Sequence, residues 1–205
     1  MNIKKLDTNI YFIEFEDRVT MCKTMLRFSE FGECPNFMGK IFTLGEYRAW
    51  YAKKNGSFSY YDDWSGFNIK SETLDVFRKG LFDPLTDLEK QLLIAIPAQL
   101  QTYSVIASYK GGVGDILDHE ICHALYYVND YYKCQIIDYL EPYSLSSLSE
   151  VYDKVRDLGY NEDCWTDEVH AYLSASSDWL DEEGVKYPKE LPLKLQEIKK
   201  KFYKG

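Results

Sequence analysis

The chain has 205 residues, 45% hydrophobic and 16% aromatic, with a net charge of −9; this suits a folded globular protein with a sizeable core and excludes a disordered one. Basic residues are scattered apart from Lys199, Lys200, Lys201 and Lys204, a pattern that argues against nucleic acid or an anionic membrane as the main partner and fits the solvated end of a last helix. Five cysteines without a CxxC are an odd number, so neither a disulfide framework nor a cysteine zinc knuckle is indicated.

The opening stretch MNIKKLDTNIYFIEFEDR has acidic residues too early and an apolar run too short for a signal peptide, and no stretch approaches transmembrane length. A soluble cytoplasmic protein is therefore expected. Residues 9 to 16, NIYFIEFE, are β-rich and predict a strand. Val19, Met21, Cys22, Met25 and Leu26 favour a helix over 18 to 31 running to Gly32. ECPNFMGK reads as a turn. Thr43 with Glu46 forms a capping box ahead of Tyr47, Trp50 and Tyr51, and Gly56 ends that helix. The aromatic stretch 57 to 69, SFSYYDDWSGFNI, reads as an ordered loop or short hairpin, either packing or walling a functional cleft. Ser71 is placed to cap a short helix ending at Gly80, and Thr86 with Glu89 repeats the capping box before LEKQLLIAI, which Pro97 ends. Residues 101 to 109, QTYSVIASY, alternate and are β-branched at the centre, which predicts a strand.

Residues 111 to 128, GGVGDILDHEICHALYYV, carry the chemistry. His119-Glu120-Ile121-Cys122-His123 is an HExxH pattern, and residues four apart on a helix share a face about 6 Å apart along the axis, so both imidazoles can meet one cation. Glu120 then sits beside the cation without ligating it, placed to take a proton from bound water. Leu117, Ile121, Ala124, Leu125 and Val128 form an apolar stripe on the opposite side. Gly111, Gly112 and Gly114 permit a sharp turn out of the preceding strand, and Asp115 or Asp118 puts negative charge near the helix start. Cys122 lies off the ligand face and reads as a small buried residue, not a nucleophile.

Further helices are expected at 131 to 140, stopped by Glu141-Pro142, in SLSSLSEVYDKVRDLGY with a serine cap and an end at Gly159, at 163 to 175, and from about 189 after Pro188, with DEEG at 181 to 184 a turn. No repeat or linker interrupts the chain, so residues 1–205 are read as one α+β domain with more helix than strand: an N-terminal part over 1–100, a metal-site core over 101–175 and a C-terminal helix within 185–205.

A catalytic zinc site takes three protein ligands and leaves one position for water. The later candidates are Asp167, Glu168 and His170 in CWTDEVHAYL. If this run is helical, Glu168 and Tyr172 share a face and His170 points nearly opposite Glu168, so only one of Glu168 and His170 can join the histidines. Helical geometry alone does not choose between them.

HEICH followed by Glu168-Val169-His170-Ala171 resembles the zincin metallopeptidases, specifically the gluzincin arrangement of HExxH with a downstream ExxA. The match covers the segment from the strand at 101 to the helix ending near 175. The resemblance implies a zincin-like, mostly helical α+β domain whose small sheet offers its edge strand, 101 to 109, to an extended substrate. It implies one Zn2+ per chain on His119, His123 and Glu168, Glu120 as general base, and hydrolysis of a peptide or protein substrate through a zinc-activated water. Tyr172 and Tyr127 are candidate oxyanion donors, with His170 a candidate donor or alternative ligand. The thermolysin branch carries an aspartate four positions beyond its ligand glutamate to hold a zinc-bound histidine. Here that position is Tyr172, which leaves Asp118 and Asp130 as candidates for the role. Two other readings compete. In a non-catalytic zinc or partner-binding module, His170 or Cys164 closes the site as fourth ligand; in a di-iron carboxylate protein, Glu120-x-x-His123 pairs with Asp167-x-x-His170. Substrate identity and oligomeric state are not encoded in any recognisable pattern.

Overall fold

The computed structural model describes residues 1–96, 98–112, 114–143 and 147–204, with Asp115 described by its backbone. Pro97, read as a helix end, and residues 144 to 146, within the run read as a serine-capped helix, lie outside these residues. The chain divides into two compact units, Met1–Val113 and Gly114–Gly205.

The first unit runs β1 (Asn2–Asp7), β2 (Ile10–Phe15), α1 (Arg18–Glu33), α2 (Leu44–Asn55), α3 (Tyr60–Asp63), β3 (Gly66–Lys70), α4 (Ser71–Arg78), α5 (Asp87–Ala95) and β4 (Ser104–Tyr109). The strands form one sheet in the order β1-β2-β4-β3, with β2 and β4 parallel and the other two pairs antiparallel. The expected edge position of the strand before HExxH is therefore corrected. β4 is interior, its residues from Ser104 to Ser108 are all buried, and both sides of its backbone are already paired, so it cannot take a substrate by strand addition. The edges belong to β3 and to β1, the latter a strand that sequence patterning did not indicate. Its exposed Lys4 and Lys5 obscure the strand signal and also discourage pairing with another chain.

The loop or hairpin expected at 57 to 69 is likewise corrected. It is the one-turn α3 followed by β3, whose partner is β4. Both capping boxes are present: Thr43 and Glu46 exchange side-chain and backbone contacts at the start of α2, and Thr86 and Glu89 do the same for α5. Gly56 ends α2 in the left-handed region at φ 83°, which only glycine adopts without strain. Ser71 does not cap α4; its Oγ accepts from the Tyr103 backbone N–H at 3.3 Å.

The core of this unit joins Met21, Met25, Leu26 and Phe28 of α1 to Phe67, Ile69, Val105 and Ala107 of the sheet and to Leu74 and Phe77 of α4. Each such side chain contributes about 1.5–3 kcal/mol by leaving water. A charged pair is buried beside it. Arg27 Nε and Nη2 reach the two oxygens of Glu89 at 2.7 and 2.5 Å, and Nη1 donates to the Phe82 carbonyl at 3.2 Å.

The second unit is helical: α6 (Asp115–Val128), α7 (Asp130–Leu140), a 3-10 turn (Glu141–Tyr143), α8 (Ser149–Asp157), a 3-10 turn (Glu162–Cys164), α9 (Trp165–Ala175), α10 (Ser177–Glu182) and α11 (Leu191–Phe202). α9 is the central helix, packed against α6, α7, α8, α10 and α11, with Val169, Ala171 and Leu173 fully buried. Asn129 caps α7 by accepting from the Tyr132 backbone N–H. α8 follows Leu148 without a side-chain cap, which corrects the serine-capped start, and it leads to Gly159 at φ 91°. α10 precedes the turn at Gly184 and was not expected; six residues are too few for a clear helical period. The chain is α+β with more helix than strand, as read from sequence, and among the described residues no helix is long and apolar enough to cross a membrane.

Candidate metal centre

α6 forms where the sequence placed it, starting after Gly114 at φ 141°. Its apolar stripe is buried at Ile121, Ala124 and Leu125. That burial fixes the rotation of the helix and turns His119 and His123 toward α9, which packs against it. α9 in turn buries Val169, Ala171 and Leu173 and is held in a single rotation, so Glu168, 8% exposed, faces the histidines.

Three donor atoms meet there. His119 Nε2 and His123 Nε2 are 3.0 Å apart, and Glu168 Oε2 lies 3.9 Å from the first and 3.6 Å from the second. A tetrahedral ion bound at 2.0–2.1 Å needs its ligand atoms separated by about 3.3 Å, and the three observed distances bracket that value. Among the described residues, this is the group of ligand-type side chains close enough to hold one ion. A buried His119-His123-Glu168 cluster of this geometry resembles the zincin HExxH/E site. Glu168, not His170, is the side chain that joins the histidines.

Each imidazole is also gripped from behind. His123 Nδ1 is 3.0 Å from Asp167 Oδ1, and His119 Nδ1 is 3.3 Å from Ser176 Oγ. A partner on Nδ1 leaves the Nε2 lone pair for a metal and fixes the ring orientation. Asp118, named from sequence for this task, is instead paired with Lys199. Asp167, considered from sequence as a ligand, stands behind a ligand. The aspartate absent at Tyr172 is thus supplied one residue before Glu168, on the neighbouring side of the same helix. The Tyr172 ring packs edge-on against His119 at 4.8 Å, Trp179 covers Tyr172 at 5.1 Å, and the Tyr160 hydroxyl meets that of Tyr172 at 3.5 Å. Tyr127 is half-buried, one turn beyond His123.

His170 is fully buried and faces elsewhere: Nε2 is 2.8 Å from the Tyr132 hydroxyl and Nδ1 is 3.1 Å from the Asp167 carbonyl. Both ring nitrogens are engaged, which argues against His170 as a fourth ligand. The same contacts oppose a second metal pocket built from Asp167-x-x-His170. Burial pushes the Cys122 thiol up to about 11, consistent with the inert role read from sequence.

The electrostatics separate the two ligand histidines. Burial, followed by the neighbouring imidazoles of His123 and His170, holds His119 well below the ordinary histidine value. Burial also disfavours a charged His123, but the Asp167 and Glu168 carboxylates outweigh it and raise His123 well above that value. The His123 charge in turn offsets the effect of burial on Asp167 and keeps its carboxyl well below the usual range. Burial raises Tyr160 and Tyr172, with the Glu168 and Glu120 charges adding to the rise in both.

A proton on His123 competes with a metal for the site. Zinc affinity should rise about tenfold per pH unit while His123 is protonated and level off above its pKa, with one proton released per ion in the rising limb. Chelator competition across pH checks this. An affinity that falls with rising pH would contradict the assigned charge on His123.

Ser176, Tyr160 and Tyr132 carry no sequence signal for their places around the site, because each faces it through packing between helices and not through local spacing. Comparison of the chain with family models, curated proteins and solved structures gives no match, so the site is read from its own geometry.

Proposed function

We propose that this protein is a zinc-dependent metallopeptidase in which His119, His123 and Glu168 hold one zinc per chain and Glu120 is the general base. The observation that carries the reading is the meeting of two Nε2 atoms and one carboxylate oxygen at distances of 3.0, 3.6 and 3.9 Å. Zinc at such a site supplies an activated water and an electrophile for the scissile carbonyl. Glu120 accepts the proton of the attacking water and hands it to the departing amine. Its place follows from its position beside His119 on α6, outside the three groups that meet at the ion site. The Tyr172 hydroxyl, joined by that of Tyr160, donates to the oxygen that becomes negative as the carbonyl is attacked. Asp167 and Ser176 hold the two imidazoles. The substrate is a peptide or protein met in the cytoplasm.

The test is a zinc titration of the purified chain combined with a peptide-library digest, with and without a chelator. One zinc per chain and chelator-sensitive cleavage are expected. Two irons per chain, or zinc without cleavage of any peptide, would remove the peptidase reading. Glu168→Ala should weaken zinc binding by about 100-fold or more, since loss of a direct ligand exceeds the 10–100-fold cost of losing a supporting partner. Unchanged zinc affinity in Glu168→Ala would show that another group completes the site.

A further inference from the structure

Behind the metal centre, buried polar groups of the second unit run in series away from His123. From His123 on α6, Nδ1 reaches Asp167 Oδ1 on α9 at 3.0 Å. The same oxygen lies 3.4 Å from His170 Nδ1, which also meets the Asp167 carbonyl at 3.1 Å. His170 Nε2 is 2.8 Å from the hydroxyl of Tyr132 on α7. Tyr132 thereby ties α7 to the ring on α9. His170 and Tyr132 are both fully buried.

The donors and acceptors of this series permit one direction. A carbonyl and an ionised carboxylate accept only, so the Nδ1 atoms of His123 and His170 both carry protons. The His123 Nε2 lone pair is then left for an ion. The His170 Nε2 therefore accepts from the Tyr132 hydroxyl. Buried imidazole and phenol are costly to place in a core unless every polar atom is used. Here Tyr132 engages His170, and His170 holds the Asp167 backbone carbonyl, while the buried Asp167 Oδ1 lies within ion-pair distance of both Nδ1 atoms without a hydrogen bond of its own.

We propose that His170 and Tyr132 are positioning residues of the metal centre: together they hold Asp167 where it keeps His123 in the Nδ1–H form with Nε2 turned to the ion. The proposal rests on the zinc reading given above and extends it two groups outward. It assigns His170 a role different from ligand or oxyanion donor, and gives Tyr132 a role that no motif marks.

The test measures zinc affinity of the full chain by chelator competition, with the visible spectrum of the cobalt-substituted protein as a second readout of ligand geometry. His170→Leu should weaken zinc binding by about 10–100-fold, the range for loss of a supporting partner. His170→Asn, whose amide N–H replaces the Nδ1–H toward Asp167, should recover most of that loss. Tyr132→Phe removes one oxygen and keeps the ring, so it should fold; it should weaken binding by about three- to tenfold and alter the cobalt bands. In the zinc-loaded wild type, 15N NMR should show His170 protonated on Nδ1 and bare on Nε2. Wild-type zinc affinity in both Tyr132→Phe and His170→Leu, equal weakening in His170→Leu and His170→Asn, or an Nε2-protonated His170 would each overturn the proposal. His119→Ala separates the two levels of inference. If the wild type binds one zinc and His119→Ala does not, the zinc reading stands whatever the outer variants do. A wild type that binds no zinc removes both.

Discussion

Glu120→Gln is expected to abolish peptide cleavage while zinc content and helical content stay at wild-type levels. The amide has nearly the shape of the carboxylate, so the packing of the half-buried side chain on α6 is preserved, and Glu120 is not among the three groups that meet at the ion site. What is lost is the ability to accept a proton from the attacking water. General-base catalysis contributes about 10²–10⁴-fold, so kcat/KM should fall by at least that range with KM little changed. Cleavage at the wild-type rate in a zinc-loaded Glu120→Gln protein would defeat the mechanism. Loss of zinc in the same variant would place Glu120 among the ligands instead. The experiment thus separates the catalytic role from the binding role, which Glu168→Ala cannot do.

Glu89→Ala should cost the first unit about 3–5 kcal/mol, the range for breaking a buried ion pair from one side. Arg27 cannot shed its proton, and its guanidinium side chain is only 7% exposed. Without the carboxylate it keeps the carbonyls of Phe82 and Pro84 as partners, and neither carries a compensating charge. The same substitution removes the glutamate half of the α5 capping box, whose oxygen accepts from the Thr86 backbone N–H at 2.7 Å. Urea denaturation followed by Trp50 and Trp64, both in the first unit, reads the loss as a lowered midpoint. Replacing both partners by Leu and Met should cost far less, because no charge is stranded. A Glu89→Ala midpoint within experimental error of wild type would show that water reaches Arg27.

The elements legible in the sequence were those whose cause is local. Thr43 with Glu46 and Thr86 with Glu89 mark helix starts because a cap and its reciprocal partner lie within one turn. The apolar stripe of α6 predicts both the helix and the face that carries His119 and His123. The strands within 9 to 16 and 101 to 109 were legible from their β-rich patterning, but the order of the sheet was not. The lysines of β1 hide that strand, the aromatics of 57 to 69 pack equally well in a loop, and the interior place of β4 depends on partners about 90 and 40 residues before it, as a parallel pairing with β2 and an antiparallel one with β3 impose. The same division runs through the site. Three of its residues follow from HExxH spacing. Helical geometry left Glu168 and His170 open, and only the resemblance favoured Glu168. Asp118 was named to support a histidine because it is close in sequence, but Lys199, 81 residues away, takes its carboxylate.

Asp167, Glu168, His170 and Tyr172 all sit on α9: Asp167 and Glu168 meet His123, Tyr172 meets His119 and His170 meets Tyr132, each at an angle set by the turn of about 100° per residue. The helix therefore behaves like a camshaft whose lobes are cut for one angular setting. A residue added within it would turn every later lobe away from its follower, so His170 and Tyr172 would lose their neighbours together while the pair ahead of the change stayed put.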